Sequence, residues 1–394
     1  MTNFAKRFLP AEIHKVLVER ENRAAICMLS NRKGGTGKTT LTLNIGEGFA
    51  LLAGKRVLLI DVDRQANLST AYGLTERMTG QTSHAFSETG VRPNELLVPP
   101  IHPDYEEGDQ FAARSSSAEV MEQDGKPVLP YGTFIDGEIE CLTELNPLGG
   151  CVDVLPADGE RLKHIQTHAE NYNARALYAS WANWLYSSGA LTNYDAIIFD
   201  APPLDSELHE ALYQLCDHMI VPVQPSNDTL SAASAVAYSC FGAQNSDERP
   251  RTMTTIINPL SSNRLTNEQR TWLENVVWNN QFLGALPESH EFPRANIIDK
   301  RRNTPLPPYD EEHMLQLSDD ERIVAEKEYI KDIRKLVLPT RTTKADKSTR
   351  DRLVRVMNHL HDKILGEPLP KDPFVTTKST ATSGAAKGKK KANA

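Results

Sequence analysis

Residues 24–63 read AAICMLSNRKGGTGKTTLTLNIGEGFALLAGKRVLLIDVD, and the order of features in that stretch decides the fold. AAICMLS is a short apolar run of the kind that forms a strand buried on both faces. It enters a glycine-rich loop, after which residues 39–53 read as a helix and Gly54 as its stop signal. RVLLIDVD then reads as a second buried strand that ends in two acids. A strand, a helix and a strand in this order make a crossover unit, which implies a parallel sheet.

Working outward, the same alternation resumes after residue 150 with CVDVLPA (151–157) and a helical region running to about Ser188. It continues through YDAIIFDAPP (194–203), HMIVPVQP (218–225), TMTTIINP (252–259) and QFLGALPE (281–288). An α/β fold accounts for all of these, with a doubly wound, mostly parallel sheet and helices on both faces. The stretch 75–150 breaks the rhythm, because it is rich in Pro, Gly and Ser and carries 14 Asp and Glu against 4 Lys and Arg, a net of −10. It reads as an acidic insertion. Residues 305–345 mix prolines with a charged helical pattern, and TRDRLVRVMNHLHDKILG (349–366) has apolar residues at helical spacing that should pack back on the core. The expected organisation is a helical lead-in over 1–23, one domain over 24–366 with insertions at 75–150 and 305–345, and a flexible basic tail over 367–394.

Composition narrows the function classes. Apolar residues make up 39% of the chain and charged residues 24%. No uninterrupted apolar run reaches the roughly 18 residues that would mark a membrane span, and residues 1–10 lack the charged-then-apolar pattern of a secretory leader. A cytoplasmic protein is expected. The five cysteines, Cys27, Cys141, Cys151, Cys216 and Cys240, are scattered, with no CxxC pair suited to zinc, iron–sulfur or redox chemistry. Net charge is −8, but with −10 inside 75–150 the remainder is slightly basic and ends in Lys378, Lys387, Lys389, Lys390 and Lys391. A basic surface for nucleic acid therefore stays open.

The segment Gly34-Gly35-Thr36-Gly37-Lys38-Thr39 lies between a strand and a helix, the setting a phosphate-binding loop requires. Glycines let the backbone approach phosphate oxygens, and amide groups at the helix N-terminus supply positive potential. Lys38 would reach the terminal phosphates and the Thr39 hydroxyl would bind magnesium. The usual loop places a glycine at position 32, where this chain has Arg32, with Lys33 beside it. With that departure, Lys33-Gly34-Gly35-Thr36-Gly37-Lys38-Thr39-Thr40 resembles the deviant P-loop of the ParA/MinD family of ATPases.

The resemblance runs from about Ala24 to Asp200 and on to the last helix, leaving out 75–150, 305–345 and the tail; its loop and DAPP segments are specific. It implies ATP and Mg2+ as cofactors, slow partner-stimulated hydrolysis, and an ATP-bound sandwich homodimer in which Lys33 acts on the opposite subunit's phosphates. IDVDRQANLS resembles the family's first switch, which implies that Asp63 orients the attacking water and that Asp61 supports Lys38 or the magnesium shell. The family usually has Pro and Gly where this chain has Arg64 and Ala66. AIIFD followed by APP resembles the Walker B-like segment and second switch, so Asp200 is expected to hold a magnesium-bound water. Asn258 stands where relatives read the adenine edge.

Partition ATPases of the family bind DNA non-specifically as ATP dimers, and a ParB-like or cargo-adaptor protein stimulates their hydrolysis. For this chain the resemblance implies a nucleoid-associated positioning ATPase, its cargo a plasmid, a chromosome region or a protein assembly. Arg294, Lys300, Arg301 and Arg302 lie in the region that contacts DNA in some relatives, and a solvated charge run fits them equally well. A MinD-like membrane switch would need a C-terminal amphipathic helix, which STATSGAAKGKKKANA lacks. A metabolic ligase on the same fold would generally lack Lys33.

Overall fold

The computed structural model describes residues 9–19, 22–72, 74, 116–122, 128, 130–136, 148–168, 171–203, 206–242, 252–258, 267–268, 271, 292–293, 316–337 and 344–370. Among these, the strands form one sheet of seven, β1 (Ala25–Leu29), β2 (Arg56–Asp61), β3 (Tyr131–Asp136), β4 (Cys151–Leu155), β5 (Ala196–Asp200), β6 (His218–Val223) and β7 (Thr252–Ile257). Their order is β3-β4-β2-β5-β1-β6-β7. All pairings are parallel except β3 with β4, which is antiparallel.

Alternation along each strand explains why helices cover both faces. In β1, Ile26 and Met28 enter one buried cluster, whereas Cys27 and Leu29 enter the other. In β5, Ile197 and Phe199 divide from Ala196 and Ile198 in the same way. The first face is covered by α1 (Ala11–Val18), α5 (Gly159–Thr167), α6 (Ala174–Ser187), α8 (Glu207–Leu215) and α9 (Asn227–Gly242), which contribute Leu17, Leu162, Trp181, Leu212 and Val236. The second is covered by α2 (Lys38–Ala53) and α11 (Lys344–Leu365).

Helix α2 is buried on nearly all sides because it lies between the sheet and α11. It starts after Gly37 and stops at Gly54, both in the left-handed region. At Gly54 a side chain would also meet the Leu148 carbonyl at 2.5 Å. Helix α11 presents Leu353, Val356, Met357 and Leu360 to this face, with His361 edge-on to Phe49 at 5.0 Å between ring centroids. The expected return of 349–366 to the core is therefore observed.

The stretch read as an insertion is partly built into the core. It contributes α4 (Ser117–Glu122), with Ala118, Val120 and Met121 buried, and the edge strand β3. Composition hid both elements, because two short elements leave little periodic signal inside an acidic, proline-rich stretch. The helical region running to about Ser188 is two helices, each started by a side chain that accepts backbone N–H groups, Asp158 for α5 and Asn173 for α6. The short α7 (Ala190–Asn193) follows them, as the short α3 (Asn67–Ala71) follows β2. The strand expected over 281–288 lies outside the described residues. So does most of 75–150 and of the tail, while 305–345 contains α10 (Asp319–Val337). Among the described residues no helix is long and apolar enough to cross a membrane.

Candidate functional site

The chain crosses from β1 through α2 to β2, returns to β5 beside β1, and then builds outward through β6 and β7. The reversal places a crevice at the carboxyl end of β1, where open α/β sheets bind ligands. The loop 31–37 sits there. Gly35 and Gly37 have φ of 75° and 95°, which side-chain-bearing residues rarely adopt. A Cβ added at Gly34 or Gly35 would meet nothing within 4 Å, so these glycines line open space.

Side chains missed by sequence reading fix the loop from below. Asn31 is fully buried; its amide donates to the Pro222 carbonyl at 2.8 Å, and its Oδ1 accepts the Lys33 N–H at 2.9 Å. Gln224 donates to the Gly35 carbonyl at 2.8 Å. Asn258 donates to the Thr36 carbonyl at 3.0 Å and presses on Gly37, where an added Cβ would come within 2.3 Å of its amide nitrogen. One of its two amide hydrogens is thus engaged by the loop, a bracing use beside the base-reading one expected, and the amide has a second N–H and its oxygen as well. Only the Asn-Pro turn marked the position in sequence, and nothing there distinguished the two uses.

The two lysines are placed differently. Lys38 is 7% exposed and donates to the Asn31 carbonyl at 3.3 Å. Lys33 is half-exposed and pairs with Asp228 near the start of α9 at 3.2 Å, with Asp228 itself 81% exposed. Thr40 is buried, and Thr39 is partly so.

Three acids cluster at this edge, two of them, Asp63 and Asp200, acting on Lys38. Asp61 and Asp200 are direct neighbours across β2 and β5, and Asp63 follows β2. All three are buried, at 0%, 1% and 7% exposure. Asp61 accepts Asp63 N–H at 3.1 Å, Ser69 N–H at 2.9 Å and the Ser69 hydroxyl at 2.7 Å. Asp63 accepts Gln65 N–H at 2.9 Å. Asp200 accepts the hydroxyls of Thr39 and Thr42, the latter at 3.3 Å, while its Oδ2 is buried with no hydrogen-bond partner among the described residues.

Burial, reinforced by the charge on Asp200, pushes the Asp61 carboxyl above the ordinary carboxylate range against its bonds from Ser69. Burial also raises Asp200, against the Thr39 bond and the charge on Lys38. It lowers the Lys38 ammonium, with Asp200 and Asp63 pulling the other way. Three acids beside one ammonium crowd more carboxyl groups into a low-dielectric place than that ammonium can neutralise, which is why burial raises Asp61 and Asp200, and a bound cation would favour their charged forms.

These residues fit phosphate and a hard cation. Helix α2 has no side-chain cap and no acid in its first turn, so its N-terminus faces the open glycines uncompensated. The unpartnered Asp200 Oδ2 and the Thr39 hydroxyl are oxygen donors of the type magnesium takes. Among the described residues no group of three or more His, Cys, Asp or Glu could cage a metal unaided. That is compatible with magnesium, which usually shares one or two carboxylates with substrate phosphates. The candidate DNA contacts Arg294, Lys300, Arg301 and Arg302 lie outside the described residues.

Comparison with known proteins agrees with this geometry. The chain is 48% identical over 64 residues to the virulence plasmid ParA family protein pGP5-D of Chlamydia psittaci, covering 16% of this chain and 23% of that protein. It is 47% identical over 60 residues to the chromosome partitioning protein ParA of Caulobacter vibrioides, covering 15% and 22%. The matched stretches thus span under a quarter of these relatives' lengths. Among solved structures, pNOB8 ParA bound to nonspecific DNA aligns at a TM-score of 0.48 and 16% identity, covering 85% of this chain and 99% of that one. Cobyrinic acid a,c-diamide synthase from Mycobacterium smegmatis aligns at a TM-score of 0.44 and 16% identity, covering 88% of this chain and 98% of that one. The family model for the CobQ/CobB/MinD/ParA nucleotide binding domain matches residues 27–300, well over half of the chain, and the protein belongs to that family.

Proposed function

We propose that this protein is a ParA-like ATPase that dimerises around ATP, binds DNA non-specifically while dimeric, and is reset by hydrolysis to partition or position a cargo. The observation that carries the reading is the contrast between its two loop lysines. Lys38 is buried against its own loop and serves the nucleotide of its own subunit. Lys33 is half-exposed and held by an ion pair whose partner is itself exposed, so it is free to reach a second subunit at small cost.

The remaining residues have divided roles. Amides of the loop and of the first turn of α2 receive phosphate oxygens, with Lys38 at the terminal phosphates. Bound Mg2+ would supply neutralisation of phosphate charge. Thr39 and Asp200 would hold it, and Asp61, fixed by Ser69, would support that site from β2. Asp63, two residues on, orients the attacking water. A slow intrinsic rate, faster when a ParB-like or cargo-adaptor protein engages the dimer on the nucleoid, follows from the same reading.

Sedimentation with ATP, ADP and no nucleotide tests it, beside a gel shift on non-specific DNA across a salt series. ATP alone should give the dimer and the shift, and the shift should weaken steeply with salt. Asp63→Ala should remain an ATP-bound dimer that hydrolyses about 100-fold more slowly, as expected when a group acting only in the transition state is lost. An ATP-bound monomer with no shift sinks the positioning role.

A further inference from the structure

Asp61 and Asp63 are separated by one residue, so the peptide between Asp61 and Val62 sets their relative aim. That peptide is held at both ends. Its N–H, on Val62, donates to the Asp200 carbonyl at 3.2 Å, and its carbonyl, on Asp61, accepts the Ser117 hydroxyl at 2.6 Å. The first hold is part of the sheet. The second comes from α4, an element of the stretch that otherwise reads as an insertion.

Ser117 is well mounted for this task. It is fully buried, and its own N–H donates to the Pro156 carbonyl at 2.8 Å, which ties it to the end of β4. The start of α4 is closed by Glu119, whose carboxylate accepts Ser116 N–H at 3.1 Å, the return arm of a capping box. Arg161 of α5 then clamps the helix, donating to Glu119 at 2.7 Å and twice to Glu122, once at 2.8 Å. On its other side Asp61 is held by Ser69, whose carbonyl also accepts Leu74 N–H at 2.9 Å.

We infer that Ser117 is a positioning residue for the Asp61/Asp63 pair, with α4 and its Arg161 clamp as the mount. The inference rests on the proposed reading that Asp61 supports the magnesium sphere. Ser117 touches neither nucleotide nor metal; it acts by fixing the backbone that carries both acids. A role in packing alone would lower thermal stability and leave metal dependence untouched.

Ser117→Ala in the full chain distinguishes the two. A fluorescent ATP analogue is titrated in excess EDTA and across a Mg2+ series, and the melting temperature is taken without nucleotide. The Mg2+ concentration for half-maximal binding should rise about ten-fold, the usual size for losing a group that orients a metal ligand, with binding in EDTA unchanged. An unaltered Mg2+ dependence overturns the inference, whatever happens to the melting temperature. Glu122→Gln, which loosens the mount at the far end of the helix, should shift the Mg2+ dependence less and in the same direction. If Ser117→Ala does not fold, the absence of any shift in Glu122→Gln overturns the inference instead. Wild-type protein that binds the analogue with Mg2+ beside an indistinguishable Ser117→Ala removes the positioning role alone, whereas wild-type protein that fails to bind removes the ATPase reading as well.

Discussion

Where the strands begin, Arg23 donates to both carboxylate oxygens of Asp217 at 2.7 and 2.8 Å and to the carbonyls of Val16, Leu17 and Ala24. Where they finish, Asp63 and Asp200 share the ammonium of Lys38, with Asp61 beside Asp200 on β2. Both clusters are buried, but only in the first does every donor of the cation have a partner, even though the residues around it line a cavity. At the amino edge Asp217 also takes the Ile26 N–H, and Lys55 sits between Asp195 and Glu367 with Glu367 at 2.8 Å. At the carboxyl edge an oxygen of Asp200 has no hydrogen-bond partner among the described residues, two loop glycines face open space, and three residues carry positive φ, Gly35, Ala66 and Gly37. The same residue types are used for cohesion at one end and held ready for a ligand at the other. A fold tolerates the second only because the first, with two apolar layers, holds it together.

The largest expected effect breaks the open end: Lys38→Ala should cost about 100-fold or more in affinity for ATP, since a desolvated cation opposite phosphate is lost, with melting temperature little changed. Binding by calorimetry checks it. At the amino edge the pattern should invert. Asp217→Ala strands the buried Arg23 charge and should lower unfolding stability by about 3–5 kcal/mol, as chemical denaturation would read, while any folded fraction still binds nucleotide normally.

Asp200→Asn sharpens the comparison, because the two ends respond oppositely to loss of a charge. Removing a buried, partly unpartnered carboxylate should raise metal-free stability by about 1 kcal/mol, yet abolish the Mg2+-dependent gain in nucleotide affinity. A variant that loses stability would show that Asp200 is a structural acid of the amino-edge kind. The smallest effect concerns Ala66, whose φ of 51° stands just after Asp63 where the family usually has glycine. Ala66→Gly should stabilise the protein by about 1 kcal/mol or less, relief of left-handed strain being offset by unfolded-chain entropy. Thermal unfolding of the two proteins side by side reads it.

Much of this was legible from residue order. Strand, glycine loop, helix and strand over 24–63 fixed a parallel sheet, since helical crossovers leave few other arrangements, and six of the seven strands stand where apolar runs put them. Lys38 and Thr39 were marked by the loop's chemistry and Asp61, Asp63 and Asp200 by their place at strand ends, whereas Lys33 and the roles expected of the acids came from the family resemblance. β3 and α4 were not, because short elements inside an acidic stretch carry too little periodicity to outweigh its composition. Asn31, Gln224, Ser69 and Ser117 were invisible for another reason. Asn31, Gln224 and Ser117 act by hydrogen bonds to backbone carbonyls and Ser69 by bonds to the Asp61 carboxylate, with partners 8 to 189 positions away along the chain for Ser69, Ser117 and Gln224, and no local pattern encodes those partners.

The sequence by itself determined the sheet class, the phosphate loop and the identity of the charged groups, because each follows from local spacing and from the period of apolar residues. Only the tertiary structure decided which charges are neutralised and which are left over, that Asn258 braces the loop, and that Ser117 reaches Asp61. Those outcomes depend on distances between segments far apart in the chain, and such distances are set when the two apolar layers close on the sheet.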